Sequence, residues 1–328
     1  MASLLACVLP ALPACSIAPT SSPLHPAAEP TPGFAAAAAA IATPALTSAD
    51  GRTDQRELMA FVEQLAGQAD HVHLIRAGRS MLGEDIPMLV FTRSADPGAA
   101  TLRADGRPTV WVLAQQHGDE PAAGEGALAL AAELAGPSRE LIDEINVVIV
   151  PRANPDGASH GSRYATNGRD LNRDSIRQIL AESRQLRKLN LAYEPVLTID
   201  AHEYRPHRAT LRQIEPAGVA ELYDLMILGP ENANVHPRLR ELTRELFIAP
   251  TVAAVTAAGL SVHETTRCGR HPAGAPLHLA LGETDARIGR NYHGLINQVS
   301  VLLESRGIGL GKGIWRGAHS RNSPPCAA

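Results

Sequence analysis

Charge is nearly absent from the first fifty residues. The chain of 328 residues has 30 basic and 34 acidic residues, yet only Glu29 and Asp50 fall in this stretch. The stretch also holds eight of the 25 prolines. Because such a composition cannot bury enough apolar surface to fold, we interpret residues 16–50 as a low-complexity Ala/Pro linker. The folding unit is then predicted at 51–315, followed by a tail at 316–328.

Long apolar runs, aromatic residues and cysteines are also scarce. No stretch of 18 uninterrupted apolar residues is present, which argues against a transmembrane helix. With a net charge of −4 and eleven aromatic residues, the chain has neither a basic stripe nor a stacking platform, so we expect no nucleic-acid partner. There are four cysteines, and only Cys268 and Cys326 lie beyond residue 15, so the fold does not depend on a disulfide framework.

The first fifteen residues resemble the end of a bacterial lipoprotein signal. An apolar run over residues 4–14 leads to Leu12-Pro13-Ala14-Cys15, although no positively charged segment precedes it. We therefore predict a leader at residues 1–15, a lipid anchor on Cys15, and an exported protein that is periplasmic, attached to the envelope or secreted. The other interpretation is an unstructured cytoplasmic tail.

Strand-like and helix-like segments alternate through the folding unit, and no internal repeat appears. The predicted strands are Val72–Ala77, Ile86–Thr92, Thr109–Leu113, Ile145–Val150, Val196–Ile199 and Val299–Leu303. One helix is predicted from Thr53, and the others are Glu125–Leu134, Ser175–Leu189, Val219–Ile227 and Arg238–Ala258. This order predicts an α/β fold with a mixed, mostly parallel central sheet that has helices on both faces.

Polar residues concentrate where predicted strands end, which is where ligands bind in such sheets. His117 and Glu120 follow one strand and are three residues apart, so a tight turn can direct an imidazole and a carboxylate to the same ion. His202 follows a neighbouring strand, in Asp200-Ala201-His202. Two histidines and one carboxylate are a ligand set of catalytic zinc sites. A histidine alone at a strand end is more often structural.

Three other motifs are excluded. The histidines of His202-Glu-Tyr-Arg-Pro-His207 are five residues apart, and Pro206 would disrupt the helix that a metalloprotease motif needs. The glycine-rich run at 306–313 lacks the first glycine and the Ser/Thr of a phosphate loop. No Gly-x-Ser-x-Gly motif of a serine hydrolase is present.

A loop after the fourth predicted strand completes an ordered set of motifs. It contains Asn154-Pro-Asp-Gly157, then Arg163, then Asp170-Leu-Asn172-Arg173. Together with His117-x-x-Glu120, His202 and Glu304, this order resembles the zinc carboxypeptidases of the carboxypeptidase A-like class, in their bacterial single-domain type. The resemblance extends over about Thr53 to Gly313 and implies their fold in one catalytic domain.

The resemblance implies a role for each matching residue. One zinc ion per chain would be held by His117, Glu120 and His202, and Asp170 would orient His117 by accepting its other ring N–H. Glu304 would be the general base that takes a proton from zinc-bound water. Arg163 would stabilise the oxyanion. The terminal carboxylate of the substrate would be bound by Asn172 and Arg173, since a carboxylate suits a bidentate guanidinium.

Three positions near the end of the chain leave alternatives open. Glu283 competes with Glu304 as the base, and we favour Glu304 because it follows a strand-like run. The family has a tyrosine that caps the substrate, and Tyr292 is the candidate, although it lies closer to Glu304 than expected. Arg287 and Arg290 either favour an acidic terminal residue or are surface charges.

These inferences predict a zinc metallocarboxypeptidase that acts on peptides with a free C-terminal carboxylate and needs no obligate protein partner. The same fold would also suit an N-acyl-amino-acid deacylase of the succinylglutamate desuccinylase or aspartoacylase kind, or a cell-wall peptide amidase. A non-catalytic binding module is the least favoured, because every ligand and the base are present.

Overall fold

Eight of the described strands form one open sheet. The computed structural model describes residues 43–48, 51–206, 220–268 and 279–307. The strands of this sheet are β1 (Val72–Arg79), β2 (Asp85–Phe91), β3 (Thr109–Ala114), β4 (Asn146–Val150), β5 (Leu197–Tyr204), β6 (Leu225–Leu228), β7 (Val262–Glu264) and β10 (Val299–Arg306). Two further strands, β8 (Thr266–Cys268) and β9 (Leu279–Leu281), pair with each other.

The order of strands across the sheet is β1-β2-β4-β3-β5-β10-β6-β7. The central pairs β4–β3, β3–β5 and β5–β10 are parallel, as is β6–β7. The pairs β1–β2, β2–β4 and β10–β6 are antiparallel. The sheet is therefore mixed and mostly parallel, as predicted.

Helices cover both faces of the sheet. In chain order they are α1 (Gln55–Gln68), α2 (Ala99–Ala104), α3 (Pro121–Ala135), α4 (Pro155–His160), α5 (Ala181–Tyr193), α6 (Pro237–Thr243), α7 (Ala249–Ala257) and α8 (Gly289–Leu295). Short 3₁₀ turns occur at Pro44–Leu46, Arg139–Asp143 and Leu171–Arg173, and a π turn at Arg244–Ile248 joins α6 to α7. Among the described residues, none of these helices has the length and apolar character that crossing a membrane requires.

Alternating residues of the central strands pack into two separate hydrophobic cores, one on each face of the sheet. On β3, Val112 packs with Val62 of α1 and Leu128 of α3 on one face. Trp111 of the same strand packs on the other face with Leu186 of α5 and with neighbours from α2. This period of two confirms that the sheet is buried between helical layers.

Two predicted helices differ from the structure. Leu225–Leu228 form strand β6 rather than the end of the predicted helix Val219–Ile227, because this short apolar run is buried beside β10. Residue 219 itself lies outside the described residues. The predicted helix Ser175–Leu189 begins only at Ala181, since the Asp174 carboxylate accepts the N–H groups of Ile179 and Leu180 and holds the preceding segment in a turn.

Most of the predicted leader and linker, with Cys15, lies outside the described residues, as do Cys326 and the tail. Within the predicted linker, Pro44–Leu46 forms a 3₁₀ turn whose Ala45 is buried. The bounds of the catalytic domain stay a prediction.

Candidate active site

A cavity of about 540 Å³ opens at the carboxyl ends of β3, β5 and β10. Parallel strands bring residues that are distant in the chain to this edge of the sheet. The predicted site residues that line the cavity are His117, Glu120, Arg163, Asn172, Arg173, His202 and Glu304. The structure thus brings together seven of the nine predicted site residues in one place.

The turn after β3 presents His117 and Glu120. Gln115 has a left-handed backbone (φ 48°), and the Glu120 N–H donates to the carbonyl of His117 at 3.2 Å before α3 begins. At Gly118 the turn lies against Gly157, and a Cβ atom there would be 2.0 Å from the Gly157 carbonyl carbon. Only glycine allows this approach, which packs the turn on the Asn-Pro-Asp-Gly segment.

His117, Glu120 and His202 form a compact, buried triad. The Nδ1 atoms of the two histidines are 3.1 Å apart. Each lies 2.7 Å from an oxygen of Glu120, Oε1 for His117 and Oε2 for His202. Among the described residues these three side chains are the group whose donor atoms suit one metal ion. Two imidazole nitrogens and a carboxylate are ligands that zinc prefers.

The opposite ring nitrogens each face a carboxylate. Nε2 of His117 lies 3.1 Å from Oδ1 of Asp170, and Nε2 of His202 lies 2.8 Å from Oδ1 of Asp200. A ring that donates Nε2–H to a carboxylate keeps a lone pair on Nδ1, so both rings direct that lone pair to the triad. The donor set therefore fits zinc.

Asp200 is the residue that sequence reasoning did not assign. Its carboxylate is 1% exposed and accepts from the amides of Gln116 (2.6 Å) and Asn172 (3.5 Å). Asp200 and His202 are two residues apart on β5, so their side chains leave the same face of the strand. An Asp-x-His pair directly after a predicted strand is the signal that points to this role.

Electrostatics favour a cation at the triad. Burial alone would raise the pKa of Glu120, but His202 and His117 lower it below its usual range. Burial alone would lower the pKa of His202, but Asp200 and Glu120 raise it well above the usual value. The carboxylates thus dominate, and the site stabilises positive charge at this point.

Arg163 lies at the mouth of the triad. It donates through Nε and Nη2 to Oδ2 of Asp170 (3.0 and 2.9 Å), and its Nη1 lies 3.3 Å from Oε1 of Glu120. Burial works against its charge, but Asp170 and Glu120 raise the pKa of its guanidinium. It stays fully charged beside the triad.

Glu304 and Glu283 both line the cavity but in different settings. Glu304 lies on β10, where it is paired in parallel register with His202 of β5. Glu283 instead accepts from Nη2 of Arg173 at 2.8 Å. A guanidinium holds the carboxylate of Glu283, whereas the strand register places Glu304 beside the triad, which is the position that the predicted base needs.

Arg173 and Asn172 are adjacent on the 3₁₀ turn Leu171–Arg173. Besides Glu283, Arg173 contacts the carbonyl of Asn172 at 2.9 Å. The side-chain oxygen of Asn172 accepts from the Gly289 N–H at 2.6 Å, and its Nδ2 lies 3.0 Å from Nε2 of His202. Because Nε2 of His202 donates to Asp200, the Asn172 amide donates to Asp200 as well, so Asn172 links this carboxylate to α8, and it also reaches the cavity.

The structure does not bring Tyr292 to this cavity. Tyr292 is two residues after Arg290 on α8, which turns its side chain by about 200° to the opposite face of the helix. There it is buried beneath Arg187, whose guanidinium carbon lies 4.5 Å from the ring centroid. Its predicted capping role therefore has no support in this conformation.

The chain is similar in sequence to zinc carboxypeptidases. Residues 58–190 match the family model for zinc carboxypeptidase. The chain is 29% identical to carboxypeptidase 2 of Trichophyton rubrum over 268 residues, which cover 79% of this chain and 48% of that protein. It thus spans about half the length of the curated relatives it matches.

Solved structures share the fold. A metallo-carboxypeptidase from Burkholderia cenocepacia has a TM-score of 0.60 and 19% identity, over 78% of this chain and 61% of that one. A metallo-carboxypeptidase from Pseudomonas aeruginosa, solved in complex with (2-guanidinoethylmercapto)succinic acid, has a TM-score of 0.58 and 22% identity, over 78% and 60%.

Proposed function

We propose that this chain, a relative of the zinc carboxypeptidases, is a zinc metallocarboxypeptidase that removes the C-terminal residue of peptides. The family resemblance predicted from the motifs is confirmed by the matching family model and relatives. The observation that carries the activity is that the metal triad, Arg163, Arg173 and Glu304 all line one cavity.

His117, Glu120 and His202 would hold one zinc ion, oriented by Asp170 and Asp200. The chemistry that zinc supplies when bound is the acidification of water and the polarisation of a carbonyl group. That chemistry is what hydrolysis of a peptide bond needs.

The chain's own residues supply the proton transfer and the charge stabilisation. The Glu304 carboxylate takes a proton from the attacking water and delivers it to the amine nitrogen as the C–N bond breaks. Arg163 donates through Nη1, the atom nearest the ligands, to the oxygen that becomes negative in the transition state.

The terminal carboxylate of the substrate would bind Arg173, with Asn172 beside it. In the free protein the Glu283 carboxylate already accepts a hydrogen bond from Nη2 of Arg173. The substrate therefore exchanges one carboxylate for another at this guanidinium, so Arg173 stays paired before and after binding.

The test is a substrate panel with the purified protein. We expect about one zinc per chain by metal analysis and stepwise release of C-terminal residues from a free peptide, with no release from the same peptide amidated at its C-terminus. A chelator should abolish the activity and zinc should restore it. Faster hydrolysis of N-succinyl amino acids or muropeptides would instead support the deacylase or the cell-wall amidase.

We also propose export with lipid attachment at Cys15, a proposal that rests on the apolar run before this cysteine. Metabolic labelling with a radioactive fatty acid tests it. Label should enter the full chain expressed in a bacterium and be lost in Cys15→Ser, whereas equal labelling of both proteins would contradict it.

A further inference from the structure

Arg290 is a buried cation on the wall of the same cavity. Its residue is 4% exposed and lies near the start of α8. Its Nε donates to the carbonyl of Gly229 at 3.2 Å, and its Nη2 donates to the carbonyl of Glu283 at 2.5 Å. Two main-chain oxygens therefore hold the guanidinium in a fixed orientation.

Within the described parts of the chain, Arg290 differs from the other arginines of the cavity. Arg163, Arg173 and Arg205 each form a salt bridge with a carboxylate, on Asp170, Glu283 and Asp119 respectively. The hydrogen bonds of Arg290 go to neutral carbonyl oxygens. Burial lowers the pKa of Arg290, and the carboxylates of Asp200, Glu231, Glu304 and Glu283 oppose this without forming an ion pair with it. An anion in direct contact would compensate the burial of the charge, so this position favours one from outside.

Arg290 is connected to Arg173 and Asn172 through two shared contacts. Glu283 joins the two arginines, since its side chain accepts from Arg173 and its carbonyl accepts from Arg290. Gly289, which precedes Arg290, donates to the side chain of Asn172. Arg290 is therefore linked to the groups that would bind the terminal carboxylate, and it lines the same cavity as they do.

Gly282 makes room for this guanidinium. A Cβ atom on Gly282 would lie 2.6 Å from Nη2 of Arg290 and 2.3 Å from Cδ2 of Leu228, and its backbone is left-handed (φ 50°). Only glycine fits this position, so the wall is shaped around the arginine. Arg287, by contrast, pairs with Asp285 on the surface, with its side chain 52% exposed.

We propose that Arg290 binds the side-chain carboxylate of the substrate, so that the enzyme prefers peptides ending in an acidic residue. This inference rests on the proposed carboxypeptidase function. Of the two arginines that the sequence left open, Arg290 determines the specificity and Arg287 is a surface charge.

The test compares two peptides that differ only in a C-terminal Glu or Gln, which have the same shape and different charge. For the wild-type protein we expect kcat/KM to be about 10–100-fold higher for Glu. Arg290→Gln should bring this ratio near one, and Arg287→Gln, the matched control, should leave it unchanged. Calorimetric titration of both peptides into Glu304→Gln protein reads the same preference as binding, without turnover.

Each failure has a distinct signature. If wild-type protein cleaves both peptides equally, the acidic preference is overturned and the carboxypeptidase function stands. If no peptide is cleaved, the proposed function fails, and equal binding of the two peptides would then overturn the preference separately. If Arg290→Gln does not fold, the wild-type kcat/KM ratio and the titration into Glu304→Gln protein still decide whether the enzyme prefers an acidic C-terminal residue.

Discussion

The two halves of the site are built by different means. We define the loop side as His117, Glu120, Arg163 and Asp170, which lie on segments that follow β3 and β4. We define the strand side as Asp200, His202 and Glu304, which lie within β5 and β10. Each side contributes a histidine to the triad, yet the partners that hold the two rings differ.

The loop side is held by charge, and its Arg163 and Asp170 are partly open to solvent. The side chain of Arg163 is 34% exposed and that of Asp170 is 13% exposed, and the two form an ion pair. Burial alone would raise the pKa of Asp170, but His117, Arg163 and Arg173 hold it below its usual range. Water can replace part of any interaction that is lost here.

The strand side is held by register, and its Asp200 and His202 are closed to solvent. Parallel pairing of β5 with β10 sets Leu302 opposite Asp200 and Glu304 opposite His202. Besides His202, the partners of Asp200 are the neutral amides of Gln116 and Asn172. A sheet thus fixes the positions that chemistry needs most, while loops supply charge that can adjust to the substrate.

Loss of the base on the strand side should give the largest effect. Glu304→Gln keeps the shape of the side chain but cannot take a proton, so we expect kcat to fall by about 10²–10⁴-fold with zinc content unchanged. Glu283→Gln is the matched control and should keep turnover while lowering KM, because it frees Arg173 for the substrate. Steady-state kinetics with metal analysis measure both, and a greater loss in the Glu283 variant would assign the base to Glu283.

The next largest effect is expected from changing the two carboxylates, Asp200 and Asp170, that hold the histidine rings. Asp200→Asn should weaken zinc binding by about 10–100-fold, and Asp170→Asn by less, because water and Arg163 remain beside His117. Competition with a chromophoric chelator measures both affinities, with surface Asp143→Asn as the control. Equal losses in the two variants would remove the distinction between the sides.

The loop side was the easier half to predict from sequence. His117 and Glu120 are close in the chain, and the Asp-x-Asn-Arg motif includes Asp170, so short spacings describe this half. The strand side depends on which strands are neighbours, and that is a long-range property. Asp200 went unassigned for this reason, although the Asp-x-His spacing was visible.

The elements of the fold also differ in how well the sequence predicts them, according to whether local pattern or long-range pairing decides their structure. Strands β1 to β5 were all predicted, because each contains an apolar run, but β5 continues past the predicted end at Ile199 to Tyr204, through the polar residues Asp200 and His202. Leu225–Leu228 was wrongly predicted as helix, since a short apolar run becomes a strand only when β10 pairs with it. The π turn before α7 also had no periodic signal, and it follows from Pro250, which lacks the N–H that a regular turn needs.

The smallest predicted effect concerns a contact that holds the loop side from a distance. The buried carboxylate of Asp156 accepts from the Ser80 hydroxyl (2.6 Å), the Leu82 N–H (3.0 Å) and the Thr166 hydroxyl (2.9 Å), so it ties the β1–β2 turn to the segment that carries Arg163.

Asp156→Asn turns one acceptor into a donor in a buried place, so we expect the free energy of unfolding to fall by about 1–3 kcal/mol. Urea unfolding measures this change, and exposed Asp143→Asn should change it by less than about 0.5 kcal/mol. Because Arg163 depends on this segment while Glu304 does not, Asp156→Asn should also lower kcat modestly without changing zinc content. A loss of zinc in this variant would show that the loop side and the strand side are not independent.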